Sequence, residues 1–173
     1  MLRCCLWTAR PVDRRYAVPP VFNDVLQTVV DEVCNLTSPE QLETSVCDMN
    51  AGPCLQHLLH IFAGQPAYNR IACALLQWPA EEGEPPAALR LCKDRVGSHL
   101  VEAILRTCGT DLYSELVTDC FRGRLWDLCD DDIAHFVVGR LVEVATDDDV
   151  AIQLVNELSP CIQQLLTSVR PAL

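Results

Sequence analysis

Three segments of this chain carry the same spacing of apolar residues, and that repetition limits the fold more than any other feature. The segments are AGPCLQHLLHIF (51–62), VGSHLVEAILRT (96–107) and IAHFVVGRLVEV (133–144). Apolar residues three and four positions apart lie on one face of an α-helix. The alignment superposes two sets of such residues, Leu55 with Leu100 and Val137, and Leu59 with Ile104 and Leu141. The pattern predicts three equivalent amphipathic helices that bury the same face.

The spacing between the segments indicates a helical solenoid. Gly52 lies 45 residues before Gly97, and Gly97 lies 37 residues before Ala134. The longer interval contains WPAEEGEPPA (78–87), whose prolines, glycine and acidic residues predict a surface loop. Without most of that loop the unit is in the middle to upper thirties, a length at which helical repeats occur.

Each unit contains two further helical segments. A short one precedes the aligned helix, at 87–93 and 124–130, and another follows it, at 111–121 and 148–158. Before the repeats, apolar residues recur at helical spacing from Val21 to Val33, which predicts a helix after Pro20 with one buried stripe. SPEQ (38–41) supplies a capping serine and a proline at the first helical position, so another helix begins there. We therefore predict an all-α solenoid of about three to four three-helix repeats.

Both ends of the chain depart from the repeat pattern. Residues 1–20 have no apolar period and contain three prolines, so we predict a disordered leader there and a repeat domain over 21–173. The arginines of this segment would also be compatible with a mitochondrial presequence. Its prolines, however, interrupt the amphipathic helix that such a presequence forms, so a disordered leader is the favoured interpretation. Ser159 and Pro160 are expected to start another first helix that no second helix follows. The chain thus resembles a fragment or a shortened form, and no apolar run is long enough to span a membrane.

The charge balance is unfavourable for non-specific capture of nucleic acid. The 173 residues include 13 basic and 24 acidic side chains, for a net charge of −11. The first twenty residues carry a local charge of +3, which leaves −14 for the rest. Phosphate contacts usually come from a basic face. Twelve of the basic residues are arginine, which combines phosphate contact with planar stacking.

The cysteines, histidines and acidic runs predict structural roles. Eleven scattered cysteines in apolar positions indicate reduced core residues rather than disulfides. Cys54, His57 and His60 have helical spacing, but the chain has no CxxC pair to complete a zinc site. The aspartate runs at 130–132 and 147–149 lack the pattern of a calcium loop and are expected to cap helices. No glycine-rich phosphate loop or nucleophile motif occurs, so we expect neither an enzyme nor a metal or other cofactor.

Three ordered segments carry a family resemblance. KDRVGSHLVEAIL, LYSELVTDCFRGRLWDL and IAHFVVGRLVE resemble the repeats of Pumilio-type proteins. Their residues and their order are similar to those of a nucleolar branch of that family. The resemblance covers about residues 40 to 166. It implies a right-handed, armadillo-like superhelix, here incomplete, whose second helices line a concave face where side chains read RNA bases.

The resemblance also implies particular base-facing residues. They are the two residues after the small opening residue of the second helix and the residue three positions further on. In the middle repeat they are Ser98, His99 and Glu102, a hydroxyl and a carboxylate one helical turn apart that in the family favour guanine, with a histidine that could stack on a base. The following repeat has His135, Phe136 and Gly139, and the preceding one has Pro53, Cys54 and His57. Gly139 has no side chain for a base contact, so only the middle repeat has a full set.

Each of these residues also has a structural interpretation. Ser98 could cap its helix while Glu102 is solvated, and His99 and His135 could be packed histidines that share hydrogen bonds between repeats. Arg95, Arg122, Arg124 and Arg140 are the candidate phosphate contacts, of which we expect some to pair with nearby acids.

Two functions remain open from the sequence. The first is an RNA-binding monomer of the nucleus and nucleolus that binds single-stranded or structured pre-ribosomal RNA, with pre-ribosomal proteins as further partners, and assists maturation of the small ribosomal subunit. The second is a helical-repeat scaffold that binds protein, which the negative charge favours.

Overall fold

The computed structural model describes residues 20–35, 38–80 and 83–168, and within these ranges it contains ten α-helices and no β-strand. The predicted leader lies outside the described residues. The helices are α1 (Asn23–Cys34), α2 (Pro39–Cys47), α3 (Ala51–Phe62), α4 (Tyr68–Leu76), α5 (Ala87–Lys93), α6 (Gly97–Thr107), α7 (Thr110–Leu116), α8 (Leu125–Cys129), α9 (Ala134–Val144) and α10 (Asp148–Ser168). A 3₁₀ turn at Pro20–Phe22 precedes α1, and a π-helical turn at Val117–Phe121 extends α7.

The helices form a solenoid of three repeats. Helices α2–α4 form the first repeat, α5–α7 the second and α8–α10 the third. The second helices lie side by side, with α6 in contact with α3 on one side and α9 on the other. Helix α1 packs against α4, the third helix of the first repeat. The predicted all-α solenoid and the helices of its three repeats are confirmed.

The alignment made from the sequence corresponds to equivalent places in the core. Leu59, Ile104 and Leu141 are each 0% exposed. The small residue that opens the second helix is explained by the end of the first helix. A β-carbon on Gly52 would lie 2.8 Å from the carbonyl oxygen of Val46, and one on Gly97 would lie 3.1 Å from that of Leu91. The first and second helices therefore approach closely only because these positions lack a bulky side chain.

An aspartate caps the start of each second helix. Asp94 Oδ1 accepts hydrogen bonds from the backbone N–H groups of Val96 and Gly97, at 2.9 and 2.7 Å. Asp131 does the same for α9, and Asp48 does so for α3, which begins one residue earlier in its repeat. Backbone N–H groups at a helix start have no partner within the helix, so a carboxylate there stabilises it. Asp147 caps α10 in the same way, so the capping role is confirmed for one residue of each aspartate run.

Two buried tyrosines join neighbouring repeats. Tyr68 of α4 donates to the carbonyl oxygen of Ile104 at 3.1 Å, and Tyr113 of α7 donates to that of Leu141 at 2.7 Å. The tyrosines lie 45 residues apart, and their acceptors are equivalent residues of α6 and α9. A side chain of the third helix thus bonds near the end of the second helix in the next repeat. Val150 occupies the equivalent position in the third repeat.

Two predictions about helix limits and burial were wrong in part. Ser159 and Pro160 do not start a new helix, because α10 continues from Asp148 through Pro160 to Ser168. Proline removes one hydrogen bond of the helix, to the carbonyl of Asn156, but Asn156 and Pro160 are exposed, so water can reach that carbonyl.

The predicted buried stripe of α1 is only partly buried. Val30 is buried, whereas Val21, Phe22 and Val25 are exposed. The reason is that α1 packs chiefly against one neighbouring helix, α4, which does not cover the first turn.

The cysteines in the described part of the chain are free thiols. Cys92 and Cys120 are buried, and burial raises the pKa of Cys120 to about 12, so this thiol is protonated at neutral pH. In the same residues, no group of three or more His, Cys, Asp or Glu side chains is arranged to hold a metal ion. Nor does any helix there have the length and apolar character that crossing a membrane requires.

Candidate nucleic-acid interface

The second helices α3, α6 and α9 form a surface that is far less acidic than the rest of the protein. All four histidines of the chain, His57, His60, His99 and His135, lie on these helices, and all four are exposed. Only two of the 24 acidic residues of the chain, Glu102 and Glu143, lie on them. The negative charge of the protein is therefore carried almost entirely elsewhere. We call the exposed side of these three helices the second-helix face.

A groove runs between α3 and α6 on this face. Its polar walls come from both repeats, so it is a product of the stacking of the first repeat on the second. Its lining residues are Gln56, His57, His60, His99, Glu102, Ala103 and Arg106. With neutral histidines, one carboxylate and one guanidinium balance each other, and any protonated histidine makes the groove positive.

Glu102 lies at the centre of a network of cationic side chains. Arg140 of α9 donates from Nε and from Nη2 to Glu102 Oε2, at 3.2 and 3.1 Å. His99 Nδ1 lies 3.5 Å from the other oxygen, Oε1, and Arg106 Nη2 lies 3.9 Å from Oε2. The Glu102 and Arg140 side chains are only 14% and 15% exposed. Glu102, a predicted base-facing residue of the second repeat, is thus ion-paired with Arg140, a predicted phosphate contact of the third repeat.

The network changes the proton affinity of its members. Burial by itself raises the pKa of the Glu102 carboxyl, but the hydrogen bonds from His99 and Arg140 outweigh it and the pKa is lowered. The hydrogen bond to Glu102 raises the pKa of His99, against the effect of desolvation. Glu102 is therefore a carboxylate at neutral pH, a hydrogen-bond acceptor that matches donor groups of a ligand.

Ser98 and the residues of the third repeat occupy different environments. Ser98 is only 3% exposed, and the helix start that it could have capped is capped by Asp94 instead. Phe136 is exposed, with its ring centroid 4.0 Å from that of His135. His135 Nδ1 is 2.9 Å from the carbonyl oxygen of Asp131 in its own turn. Neither His99 nor His135 is a packed core histidine, since both are exposed.

The first repeat presents little hydrogen-bonding capacity at the equivalent positions. Pro53, Cys54 and His57 are exposed, and the His57 ring Nδ1 is 2.8 Å from the carbonyl oxygen of Pro53. A β-carbon on Gly139 of the third repeat would meet nothing within 4 Å.

Of the predicted site residues, the structure brings together His99 and Glu102 of the second repeat with Arg140 of the third.

The candidate phosphate contacts divide into paired and unpaired arginines. Arg140 pairs with Glu102 and also donates to Glu143, and Arg124 donates to the carbonyl oxygens of Asp119 and Cys120. Arg95 and Arg122 are exposed and form no ion pair with another residue of the described ranges. The expectation that some of these arginines pair with acids is confirmed for Arg140.

Sequence reasoning missed three residues of the groove, Gln56, His60 and Arg106. The charge pattern could have found them, because all four histidines of the chain lie on the aligned helices while acids are nearly absent from these helices. Burial lowers the pKa of His60, and the nearby His57 and Arg106 lower it further. The groove therefore includes more residues than the three predicted base-facing positions of any one repeat.

Three-helix repeats, stacked so that their second helices share one polar face, define an α-solenoid repeat protein, the class to which Pumilio-type proteins belong. A family model described as the NOP9-like PUF repeat domain matches residues 8–173. The chain belongs to this family.

Relatives and a solved structure support the assignment. The chain is 28% identical over 163 residues to nucleolar protein 9 of Pyrenophora teres f. teres, an alignment that covers 87% of the chain and 23% of the relative. It is 25% identical over 169 residues to nucleolar protein 9 of Mus musculus, covering 94% of the chain and 25% of the relative. The solved structure of APUM23 with GGAGUUGACGG matches with a TM-score of 0.70 and 27% identity, over 84% of this chain and 28% of that one. The chain thus spans about a quarter of the length of these relatives.

Proposed function

We propose that the second-helix face binds single-stranded RNA, with the second repeat as its main base-reading element. The observation that carries the proposal is the segregation of charge: four exposed histidines and only two acidic residues on three helices of a protein with net charge −11. A protein that repels phosphate over most of its surface binds RNA only where acids are excluded. The structure of APUM23 with GGAGUUGACGG, whose uracils mark it as RNA, gives the proposal a precedent in a similar fold.

The proposed contacts follow from the chemistry of each side chain. The Glu102 carboxylate accepts from the N1–H and N2–H groups of a guanine, and the exposed rings of His99 and Phe136 stack on bases. His135 extends the stacking surface beside Phe136, and Arg95 supplies a phosphate contact. Ser98 is almost completely covered, so it is not among the proposed base contacts.

We further propose that the protein acts in the nucleus and nucleolus on pre-ribosomal RNA during maturation of the small ribosomal subunit. The support is the resemblance to the nucleolar branch of the family and the name of the relatives, nucleolar protein 9. Pre-ribosomal proteins are proposed as further partners, the chain itself as a monomer, and residues 21–173 as the repeat domain. No catalytic role is proposed.

Fluorescence anisotropy with labelled GGAGUUGACGG at two salt concentrations tests RNA binding. Affinity should fall as salt rises, with a slope of log K against log salt of about −0.7 for each phosphate contact to a single strand. Glu102→Gln should weaken binding at least about fivefold, since a carboxylate with two acceptor oxygens becomes an amide with one. The matched control is Glu115→Gln, an exposed carboxylate of α7 outside the second-helix face. Affinity that is absent, or independent of salt, would reject RNA binding and favour a protein-binding scaffold.

A further inference from the structure

The contact between Glu102 and Arg140 crosses a repeat boundary. Glu102 is on α6 of the second repeat, and Arg140 is on α9 of the third, 38 residues away in sequence. Arg140 directly follows Gly139, the residue that occupies the third base-facing position of its own repeat. The third repeat therefore has no base-facing side chain at position 139, but places a guanidinium on the carboxylate of the repeat before it.

The surroundings of Arg140 are unsuitable for a phosphate contact. Its guanidinium donates to two carboxylates, Glu102 and Glu143, so the three groups together carry one negative charge. Its side chain is 15% exposed, against 40% for Arg106 in the groove. A phosphate would have to compete with the two carboxylates that already accept hydrogen bonds from the Arg140 guanidinium.

Glu102 lines the groove, and its two carboxylate oxygens have different partners. Both hydrogen bonds from Arg140 go to Oε2, whereas Oε1 is approached only by His99 at 3.5 Å. The His99 side chain is 67% exposed and sits at the edge of the groove, so it can move aside without disrupting the core. Arg140 thus fixes the carboxylate through Oε2 and leaves Oε1 without a hydrogen bond from an arginine.

We infer that Arg140 is a positioning residue that determines the guanine specificity of the second repeat from the third repeat, by holding the Glu102 carboxylate in the orientation that accepts from the base. This inference rests on the proposed RNA binding. A held carboxylate loses less conformational freedom when it binds the N1–H and N2–H donors of guanine, so the gain is largest for a base that offers both donors. Arg140 itself contacts neither base nor phosphate.

The test compares Arg140→Ala and Arg140→Lys on GGAGUUGACGG and on copies in which one guanine at a time is inosine, which lacks the N2 amino group. In the wild type, one inosine copy should bind at least about tenfold more weakly, the value of a hydrogen bond to a charged group. Arg140→Ala should reduce that ratio to below about threefold, with a smaller loss of affinity for the same inosine copy, which keeps N1–H, and should leave the salt slope unchanged. Arg140→Lys, which keeps the charge without the planar fork, should retain an intermediate ratio.

Controls separate this inference from the proposed function and from simple loss of folding. Glu143→Gln should keep the wild-type ratio, and Arg140→Ala should add nothing to Glu102→Gln, because both act through one carboxylate. Thermal unfolding identifies a misfolded variant, in which case the Lys variant decides. An equal loss for every RNA with a shallower salt slope would make Arg140 a phosphate contact, and an unchanged ratio would make it a bystander; either overturns the inference. A wild-type chain that binds none of the RNAs rejects the proposed function instead.

Discussion

The second and third repeats share one backbone plan but differ in what surrounds them. Helix α6 packs between the second helices of both other repeats, α3 and α9. Within the described residues, α9 packs against the second helix of one other repeat, α6. Leu105 of α6 is accordingly 3% exposed, and its equivalent Val142 of α9 is 43% exposed. The same comparison holds for function, since Glu102 faces the groove while Gly139 carries no side chain. The difference teaches that a position in the repeat defines a side chain's direction, and the neighbouring repeat defines its role.

The largest expected difference between the two repeats is in core energetics. Leu105→Ala should lower the free energy of unfolding by about 2–5 kcal/mol, because it opens a cavity between packed helices. Val142→Ala should cost less than about 1 kcal/mol, because solvent already reaches that side chain. Urea denaturation of both variants measures the two values. Equal losses would mean that α9 is as enclosed as α6 and would break the comparison.

A smaller effect is expected from the tyrosine that joins these repeats. Tyr113→Phe removes the donor to the carbonyl oxygen of Leu141, a contact that is buried. The loss should be about 1–3 kcal/mol if that carbonyl stays unpaired. Tyr68→Phe, which removes the contact to Ile104, is the matched variant and should cost less, because the Ile104 carbonyl also accepts from the Cys108 N–H at 2.8 Å. A negligible effect of both on the thermal midpoint would show that the hydroxyl groups do not stabilise the stacking.

The smallest effect should come from the third base-facing position of α9. Gly139→Ala should raise the free energy of unfolding by about 0.5–1 kcal/mol, because glycine costs more entropy than alanine within a helix. The added β-carbon meets nothing within 4 Å. Gly52→Ala is the opposite case, since its β-carbon would lie 2.8 Å from the carbonyl oxygen of Val46, and it should destabilise the chain. Chemical denaturation that found both substitutions stabilising would contradict this interpretation of the close approach at Gly52.

The sequence was sufficient to predict the helices and their register. The alignment of Leu59, Ile104 and Leu141 predicted three equivalent buried positions, and Ser38 with Pro39 predicted the start of α2, where Ser38 Oγ accepts from the Gln41 N–H at 3.1 Å. These features depend on residues a few positions apart. The prediction for Pro160 was wrong because it depends on more than nearby residues. A helix can continue through a proline where the carbonyl that loses its hydrogen bond is reached by water, and the sequence around Pro160 does not give the burial of that carbonyl.

By itself, the amino-acid sequence determined the repeat and most of the helix starts, because helical periodicity and capping are local. Only the tertiary structure decided that Ser98 is covered, that the histidines form a common face, and that Arg140 holds Glu102. Those outcomes depend on how one repeat is stacked on the next. The contact between Glu102 and Arg140, 38 residues apart, is set by the packing of α6 against α9, so neither segment by itself predicts it.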